Sequence, residues 1–295
     1  AGGGEGGQAR VNPTLERLCV VAMNVKAGGA GSAEPNLVVE IFKGLWPLIV
    51  RVVERHGADA KAAENTSRAL KHAMRSAGLD FVPLADAVMD LLVRAFEATG
   101  RSPYLYCASI CVTEFKDVKD QQLLNMLGAM AGPALSRLTT LSAFTSSPDV
   151  AEEYFYLLSR FVGHCPGLLF LSPPGLLSSS LRCAGVGMAV HHRCASKAVL
   201  SFLESVIDHG LSGGCGLPGL QAAVSESGDA VVGGALRALM GDTPLFHVDT
   251  KAKGSLAGVL HKLMRLCPAL VGEWAARAAA QGGCSVGLGG MAREV

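Results

Sequence analysis

Apolar residues recur at intervals of three and four along almost the whole chain, and this pattern constrains the fold more than any other feature. It is clearest between Ser147 and Gly210, where two segments each carry one apolar stripe at helical spacing. The first stripe comprises Val150, Tyr154, Leu157, Leu158, Phe161 and Cys165, and the second comprises Ala195, Val199, Phe202, Leu203, Val206 and Ile207. Ser147 and Pro148 are typical of a helix start, and Pro166 follows the helix end. Because neither stripe can be buried by its own helix, we expect helices packed against helices.

The same periodicity predicts further helices on both sides of this stretch, and no segment shows the sustained alternation of a strand. The other predicted helices are 14–25, 37–55, 60–77, 81–99, 103–115, 121–140, 220–240, 250–266 and 270–280. Helix pairs recur about every 40 residues, which is the range of HEAT repeats. We therefore predict an all-α fold, an α-α superhelix (a HEAT- or armadillo-like solenoid) of about six helix pairs with an extended concave surface. A single solenoid is expected over 13–280, with a disordered glycine-rich tail at 1–12 and a flexible tail at 281–295.

Composition excludes several classes of protein. The net charge is only +1, so no global field favours nucleic acid or a membrane surface. The longest apolar run, 165–181, is interrupted by Pro173 and Pro174, which argues against a membrane span. The nine cysteines are scattered singly, which favours free thiols in a reducing compartment over a disulfide framework. No signal peptide is visible, and because the chain begins at Ala1 we expect a fragment or processed product of a longer protein.

One predicted helix carries a stripe of basic residues. Lys61, Arg68, Lys71 and Arg75 are spaced by seven, three and four residues, so at about 100° per residue they share a narrow sector of the helix 60–77. The opposite sector is apolar and consists of Ala62, Ala69, Leu70, Ala73, Met74 and Ala77. A helix that buries the apolar side presents four cations to solvent, where an acidic or phosphorylated peptide could bind through charge-assisted contacts. The alternative is a solvated helix face supported by ion pairs.

Other residue patterns that resemble catalytic or metal sites lack the required context. The segment 210–214 matches the nucleophile-elbow pattern around Ser212, and Gly214, Gly216 and Gly219 match the dinucleotide fingerprint, but both follow a predicted helix instead of a strand. His191 and His192 are adjacent, so they do not face one metal site. We expect no catalytic residue, no metal and no cofactor.

Several segments of the chain resemble the C-terminal HEAT repeats of nuclear import receptors of the importin-β superfamily (karyopherin-β). The nearest branch is that of transportin-SR, or transportin-3, with its importin-13-like relatives. The resemblance is carried by EEYFYLLSRFVGHCPGLLF at 152–170, HHRCASKAVLSFLESVI at 191–207, LERLCVVAMNV at 15–25, LWPLI at 45–49, YLYCASICVTEF at 104–115 and CPALVGEWAARA at 267–278.

This resemblance implies a function without catalysis. In that branch an arginine-rich helix receives phosphorylated Arg-Ser-rich domains of splicing factors, and Glu64–Gly78 resembles it, with Arg68, Lys71 and Arg75 at its basic positions. Cargo is carried between cytoplasm and nucleus and is displaced by the GTP-bound form of the GTPase Ran, mainly through repeats that this chain lacks. The resemblance implies no direct binding of nucleic acid or membrane. His192 and Arg193 match a short motif of the family and are interpreted as turn and packing residues.

A second hypothesis is a HEAT-type scaffold or regulatory subunit without a transport role. It predicts a stable protein partner and no response to Ran-GTP. A third, a hydrolase built on Ser212, requires an acid–base partner and a strand that the sequence does not show.

Overall fold

The chain folds into helices stacked in two layers. The structure is a computed structural model that describes residues 4–25, 35–170, 175–240 and 255–281, and no strand occurs within these ranges. The helices are α1 (Gly4–Asn24), α2 (Leu37–His56), α3 (Ala60–Ala77), α4 (Val82–Thr99), α5 (Ser102–Phe115), α6 (Asp120–Arg137), α7 (Leu141–Ser146), α8 (Pro148–His164), α9 (Pro166–Phe170), α10 (Leu176–Gly187), α11 (Arg193–Leu211), α12 (Leu217–Met240), α13 (Leu256–Leu266) and α14 (Pro268–Gln281). The predicted all-α solenoid is confirmed.

The long helices form two rows, which are the two layers. Each helix packs against the next helix of its own row and against its sequence neighbour in the other row. We call the row α2, α4, α6, α10, α12 and α14 layer one, and the row α1, α3, α5, α8, α11 and α13 layer two. The short helices α7 and α9 fill the connections on either side of α8. The two helices at the centre of the chain, α8 and α11, therefore lie side by side in layer two, and α10 of layer one intervenes in sequence.

Hydrogen bonds between successive repeats reveal the repeat length. Tyr104 donates from its hydroxyl to the carbonyl of Gly57 across 47 residues of sequence, at 3.1 Å. Arg160 donates to Thr113 Oγ1 across 47 residues, and Ser178 donates to a carboxylate oxygen of Glu226 across 48 residues. The same kind of contact thus recurs once per repeat, and the repeat is slightly longer than the spacing of about 40 residues that we expected.

The ends of α3 follow directly from the sequence. Asp59 Oδ1 accepts a hydrogen bond of 2.8 Å from the amide of Ala62, which satisfies one of the free amides at the helix start. Gly78 ends the helix with φ at +54°, a conformation that side chains with a Cβ rarely adopt. These are the boundaries that the sequence predicts for the helix carrying the basic stripe.

Other boundaries differ from the prediction. The first helix begins at Gly4, earlier than the predicted start at residue 14. Pro47 lies within α2 and does not interrupt the helix. Ser147 precedes α8 as predicted, but its side chain makes no capping hydrogen bond. Apart from Gln281, the predicted tail at 281–295 lies outside the described residues.

The core runs between the two layers and is filled by one or more large side chains per repeat. Those that are almost completely buried include Phe42, Phe81, Phe96, Tyr104, Phe115, Phe144, Tyr154, Phe155, Phe161 and Phe202. Towards the C-terminus, small residues replace them in layer one. Gly185 on α10 and Gly234 on α12 are so close that a Cβ on Gly234 would overlap the carbonyl oxygen of Gly185.

Candidate peptide-binding surface

The basic stripe lies on α3 in layer two. Lys61, Arg68 and Arg75 are exposed, and Lys71 is half-buried. The apolar side predicted to be buried is buried in full, namely Ala62, Ala69, Leu70, Ala73, Met74 and Ala77. The sequence therefore placed both sides of this helix correctly.

Three of the four basic side chains face a carboxylate on the protein itself. The pairs are Lys61 with Glu16 of α1 at 3.1 Å, Arg68 with Glu64 at 4.0 Å, and Arg75 with Glu114 of α5 at 3.8 Å. The side chains of the first two pairs are exposed, and such pairs contribute about 0–1 kcal/mol each. Glu114 is half-buried, but its distance from Arg75 is long for an ion pair. They hold the stripe loosely enough for a stronger anion, such as a phosphoryl group, to replace the carboxylates.

Lys71 is arranged differently. Its ammonium lies 5.4 Å from the ring centroid of Tyr106 and 3.5 Å from the Tyr106 hydroxyl. Among the described residues it has no carboxylate partner. Its charge is positioned by an aromatic ring of the next repeat and is not neutralised by an acid.

The pKa of the half-buried His72 reflects the combined effect of these charges. Its pKa is lowered below the ordinary value, first by burial and then by repulsion from Lys71, Arg68 and Arg75. Each of these three cations disfavours a further positive charge at the same point. The local potential on this part of α3 is therefore positive, although the whole chain carries a net charge of only +1.

Arg68 and Lys71 line a groove of about 310 Å³ between α3, α5 and the start of α8. Its other lining residues include Ser67, Ser102, Tyr106 and Glu153. Ser67 is 1% exposed, and its hydroxyl has no hydrogen-bond partner among the described residues. A buried hydroxyl without a partner is unfavourable. Lys61 and Arg75 lie along α3 outside the groove.

A second groove of about 420 Å³ continues from the first between α5 and α8. Tyr106 and Glu153 line both grooves, and Tyr156, Ser159 and Arg160 line the second alone. Burial raises the pKa of Glu153 to about 7, repulsion from Glu152 and Asp149 acts in the same direction, and the charge of Arg160 opposes both. The sequence analysis missed Glu153, because periodicity places a residue on its own helix and does not show which neighbouring helices it faces.

The remaining residues singled out from the sequence lie elsewhere. His192 caps α11, with its Nδ1 accepting a hydrogen bond of 3.3 Å from the amide of Ala195, and Arg193 is the exposed first residue of that helix. Ser212 follows α11 and donates to the carbonyl of His209 at 2.8 Å, so it does not have the strand-to-helix geometry of a nucleophile elbow. No group of three or more potential metal ligands occurs in the described part of the chain. None of the described helices has the length and apolar character of a membrane span.

Comparison with known proteins places this surface in a family. The model of the fourth TPR domain of transportin-3 and importin-13 matches residues 36–138, which include α3 and α5. Residues 36–138 are therefore similar to the transportin-3/importin-13 family of transport receptors. The resemblance inferred from the sequence is confirmed.

Two relatives of this family extend the comparison. Transportin MOS14 of Arabidopsis thaliana is 24% identical over 176 residues, which is 59% of this chain and 18% of the relative. The solved structure "Importin13 cytosolic state" superposes with a TM-score of 0.81 and 15% identity, covering 95% of this chain and 31% of that one. At that identity the superposition establishes the fold alone. The chain thus spans about a third or less of the length of each relative.

Proposed function

We propose that this chain is the cargo-binding part of a nuclear import receptor, and that the groove between α3, α5 and α8 binds an acidic or phosphorylated segment of the cargo. Phosphorylated Arg-Ser-rich splicing factors are the class of cargo that we propose. The observation that carries this proposal is the position of Arg68 and Lys71. Both line one groove, and both lie on α3 within the matched range 36–138. Their charges together lower the pKa of His72 on the same helix.

The geometry supports recognition of an anion in three ways. Arg68 and Arg75 offer guanidinium groups whose present carboxylate partners lie 3.8–4.0 Å away, and guanidinium groups can bind a phosphoryl group with two parallel hydrogen bonds. Lys71 adds a cation that is already oriented by Tyr106. The charges of Lys71, Arg68 and Arg75 act together on His72, so the potential on this part of α3 is positive.

In the proposed function the chain acts by binding and release, and shuttles between cytoplasm and nucleus as part of a longer receptor. Release by Ran-GTP is proposed to depend mainly on other repeats of that receptor, outside residues 1–295. The concave surface of a stacked-repeat array suits an extended peptide, because such surfaces present a row of equivalent grooves.

Titration of the chain with a phosphorylated Arg-Ser peptide tests the proposal. Replacing Arg68 and Arg75 by alanine removes the charge-assisted contact of Arg68 in the groove, worth about 1.5–3 kcal/mol, together with the positive charge of Arg75 beside it, and is expected to weaken binding at least tenfold. Raising the salt concentration is expected to weaken binding by the unmodified chain, since exposed charges are screened. The unphosphorylated peptide is expected to bind much less tightly.

Arg94→Ala provides the matched control. Arg94 is exposed and forms a comparable ion pair with Glu54 at 3.8 Å, but it lies in layer one on α4. Its replacement is expected to leave binding unchanged. Equal binding by the Arg68→Ala/Arg75→Ala variant and the control, independent of salt, excludes the basic stripe as a cargo site.

A further inference from the structure

Glu153 is a carboxylate without a partner inside the proposed peptide-binding surface. It lies half-buried on α8 and lines both grooves. Among the described residues no hydrogen bond or ion pair reaches its side chain. Partly buried charges are normally paired because removal from water is unfavourable, so this position differs from Glu204, which is buried against Lys262.

The charged groups around Glu153 do not neutralise it. On its own helix, Glu152 and Asp149 repel its negative charge and Arg160 attracts it. Arg160, however, donates its hydrogen bond of 2.9 Å to Thr113. From α5 the facing group is the phenol of Tyr106, and from α3 the groove receives Glu64, Arg68 and Lys71, none of which is in ion-pair contact with Glu153. His164 is the remaining titratable group that lines the second groove.

Two aromatic rings accompany this carboxylate. Tyr106 and Tyr156 both line the second groove, and both are half-buried. The face of an aromatic ring attracts a cation within about 6 Å of its centroid. Tyr106 already does so for Lys71. A carboxylate beside tyrosine rings is a suitable environment for a guanidinium or an ammonium group.

We propose that Glu153, Tyr106 and Tyr156 form a subsite for one cationic side chain of the bound peptide, next to the site at which Arg68 and Lys71 bind its anionic group. This inference rests on the proposed function and specifies the ligand further. The two grooves share Tyr106 and Glu153, so the occupant carries its positive group close to its negative group. A peptide with only acidic groups would occupy the anion site of Arg68 and Lys71 and leave the cation subsite at Glu153 empty.

A consequence of this subsite is that binding of the cation is coupled to ionisation of Glu153. The pKa of this carboxyl is about 7 in the free protein, and a bound cation favours the ionised form. At pH 6 the carboxyl must lose a proton before it can pair. The preference for a cationic peptide therefore rises between pH 6 and pH 8.

Three phosphoserine peptides of equal length test this proposal by calorimetry. They carry arginine, citrulline or alanine beside the phosphoserine, where citrulline keeps the shape of arginine without its charge. The unmodified chain is expected to bind the arginine peptide about tenfold more tightly than the citrulline peptide at pH 8, since one charge-assisted hydrogen bond is worth at least that factor. Glu153→Gln is expected to abolish this preference and its dependence on pH.

Glu152→Gln is the control, because Glu152 is the neighbouring acidic residue on α8 and lines neither groove. It is expected to keep the preference for arginine. A preference that survives in Glu153→Gln, or is lost equally in both variants, overturns the cation subsite. If all three peptides bind with one affinity but Arg68→Ala/Arg75→Ala weakens them, the subsite is wrong and the proposed function stands. If none of the peptides binds, both are wrong.

Discussion

At the scale of single residues, two glutamates show how the surroundings assign different roles to one side chain. Glu204 on α11 is 6% exposed, and its carboxylate lies 3.6 Å from the ammonium of Lys262 on α13. Glu153 is also removed from water but has no partner in the described structure. The first contributes to the docking of neighbouring helices, whereas the second weakens the isolated fold, which is what we expect of a residue kept for a ligand.

The protonation of Glu153 leads to a prediction about stability. Its pKa is raised from 4.5 to about 7 in the folded chain, so between these values the folded state binds more protons than the unfolded state. Stability therefore falls as the pH rises through this interval, and the penalty is complete above pH 7. Glu153→Gln cannot ionise and is expected to raise the free energy of unfolding by about 1 kcal/mol at pH 8.

Urea unfolding at pH 8 and pH 5 measures this effect. Near pH 5 most of the gain is expected to disappear, because the carboxyl is then mostly protonated in the folded chain. Glu97→Gln, an exposed position on α4, is expected to change stability little at either pH. A loss of stability in Glu153→Gln at pH 8 would show that Glu153 has a stabilising partner.

The residues of the candidate surface could be predicted only in part from the sequence. Arg68 and Lys71 were found because helical spacing determines which residues share one face of a helix. Ser67, Tyr106 and Glu153 were not, because they come from three helices in three successive repeats. Which residues of different repeats share a groove depends on the repeat length and on helix rotation, and neither is given by the periodicity of one helix.

At the scale of the elements, amphipathic helices with polar ends were predictable, whereas the mostly buried helix α10 was not. The helix α3 has an aspartate cap, a glycine stop and a polar face, and its predicted bounds are the observed ones. The helix α10 has none of these signals. Its buried residues include Ser178, Ser180 and Gly185 together with Leu177, Leu181 and Cys183, so small polar and apolar side chains alternate without a stripe. The sequence therefore predicted no helix in this region.

Close packing of α10 on α12 explains why glycine is needed within these helices, and it gives a prediction. A Cβ at Gly234 would overlap the carbonyl oxygen of Gly185, which only a shift of the backbone can relieve. Gly234→Ala is expected to lower the free energy of unfolding by about 2 kcal/mol, despite the better helix propensity of alanine.

Gly128→Ala is the matched control, since Gly128 is also within a helix, α6, and a Cβ there meets nothing within 4 Å. It is expected to raise the free energy of unfolding by about 0.5–1 kcal/mol. Both values are measured by urea unfolding. If alanine is equally well tolerated at both positions, the two helices are further apart than the structure indicates.

At the scale of the whole molecule, the structure is a row in which each repeat contacts mainly its neighbours. The solenoid architecture and the order of its repeats followed from the helical periodicity and its recurrence, because these features determine that helices must stack and that they stack in sequence order. The glycine content was harder to interpret. An abundance of glycine usually suggests turns and loops, but Gly185, Gly228 and Gly234 lie buried within the helices of layer one. Composition counts residues and does not indicate whether a glycine is in a turn or in a helix contact.

In a row of this kind, the loss of one contact between repeats is expected to destabilise only the neighbouring terminal repeats. The contact made by Lys262 offers a test. Its ammonium lies 2.8 Å from Asp208 and 3.6 Å from Glu204, both on α11. Lys262→Met leaves the carboxylate of Glu204 buried without this cation, which costs about 2 kcal/mol. Because nearest-neighbour contacts dominate, hydrogen exchange is expected to accelerate in α13 and α14 while α2 to α6 keep their protection. Lys43→Met, which removes an exposed pair with Glu40 on α2, is expected to change neither region. Uniform loss of protection along the chain in Lys262→Met would instead mean that the repeats unfold as one cooperative unit, and that a ligand bound at α3 is felt as far away as α14.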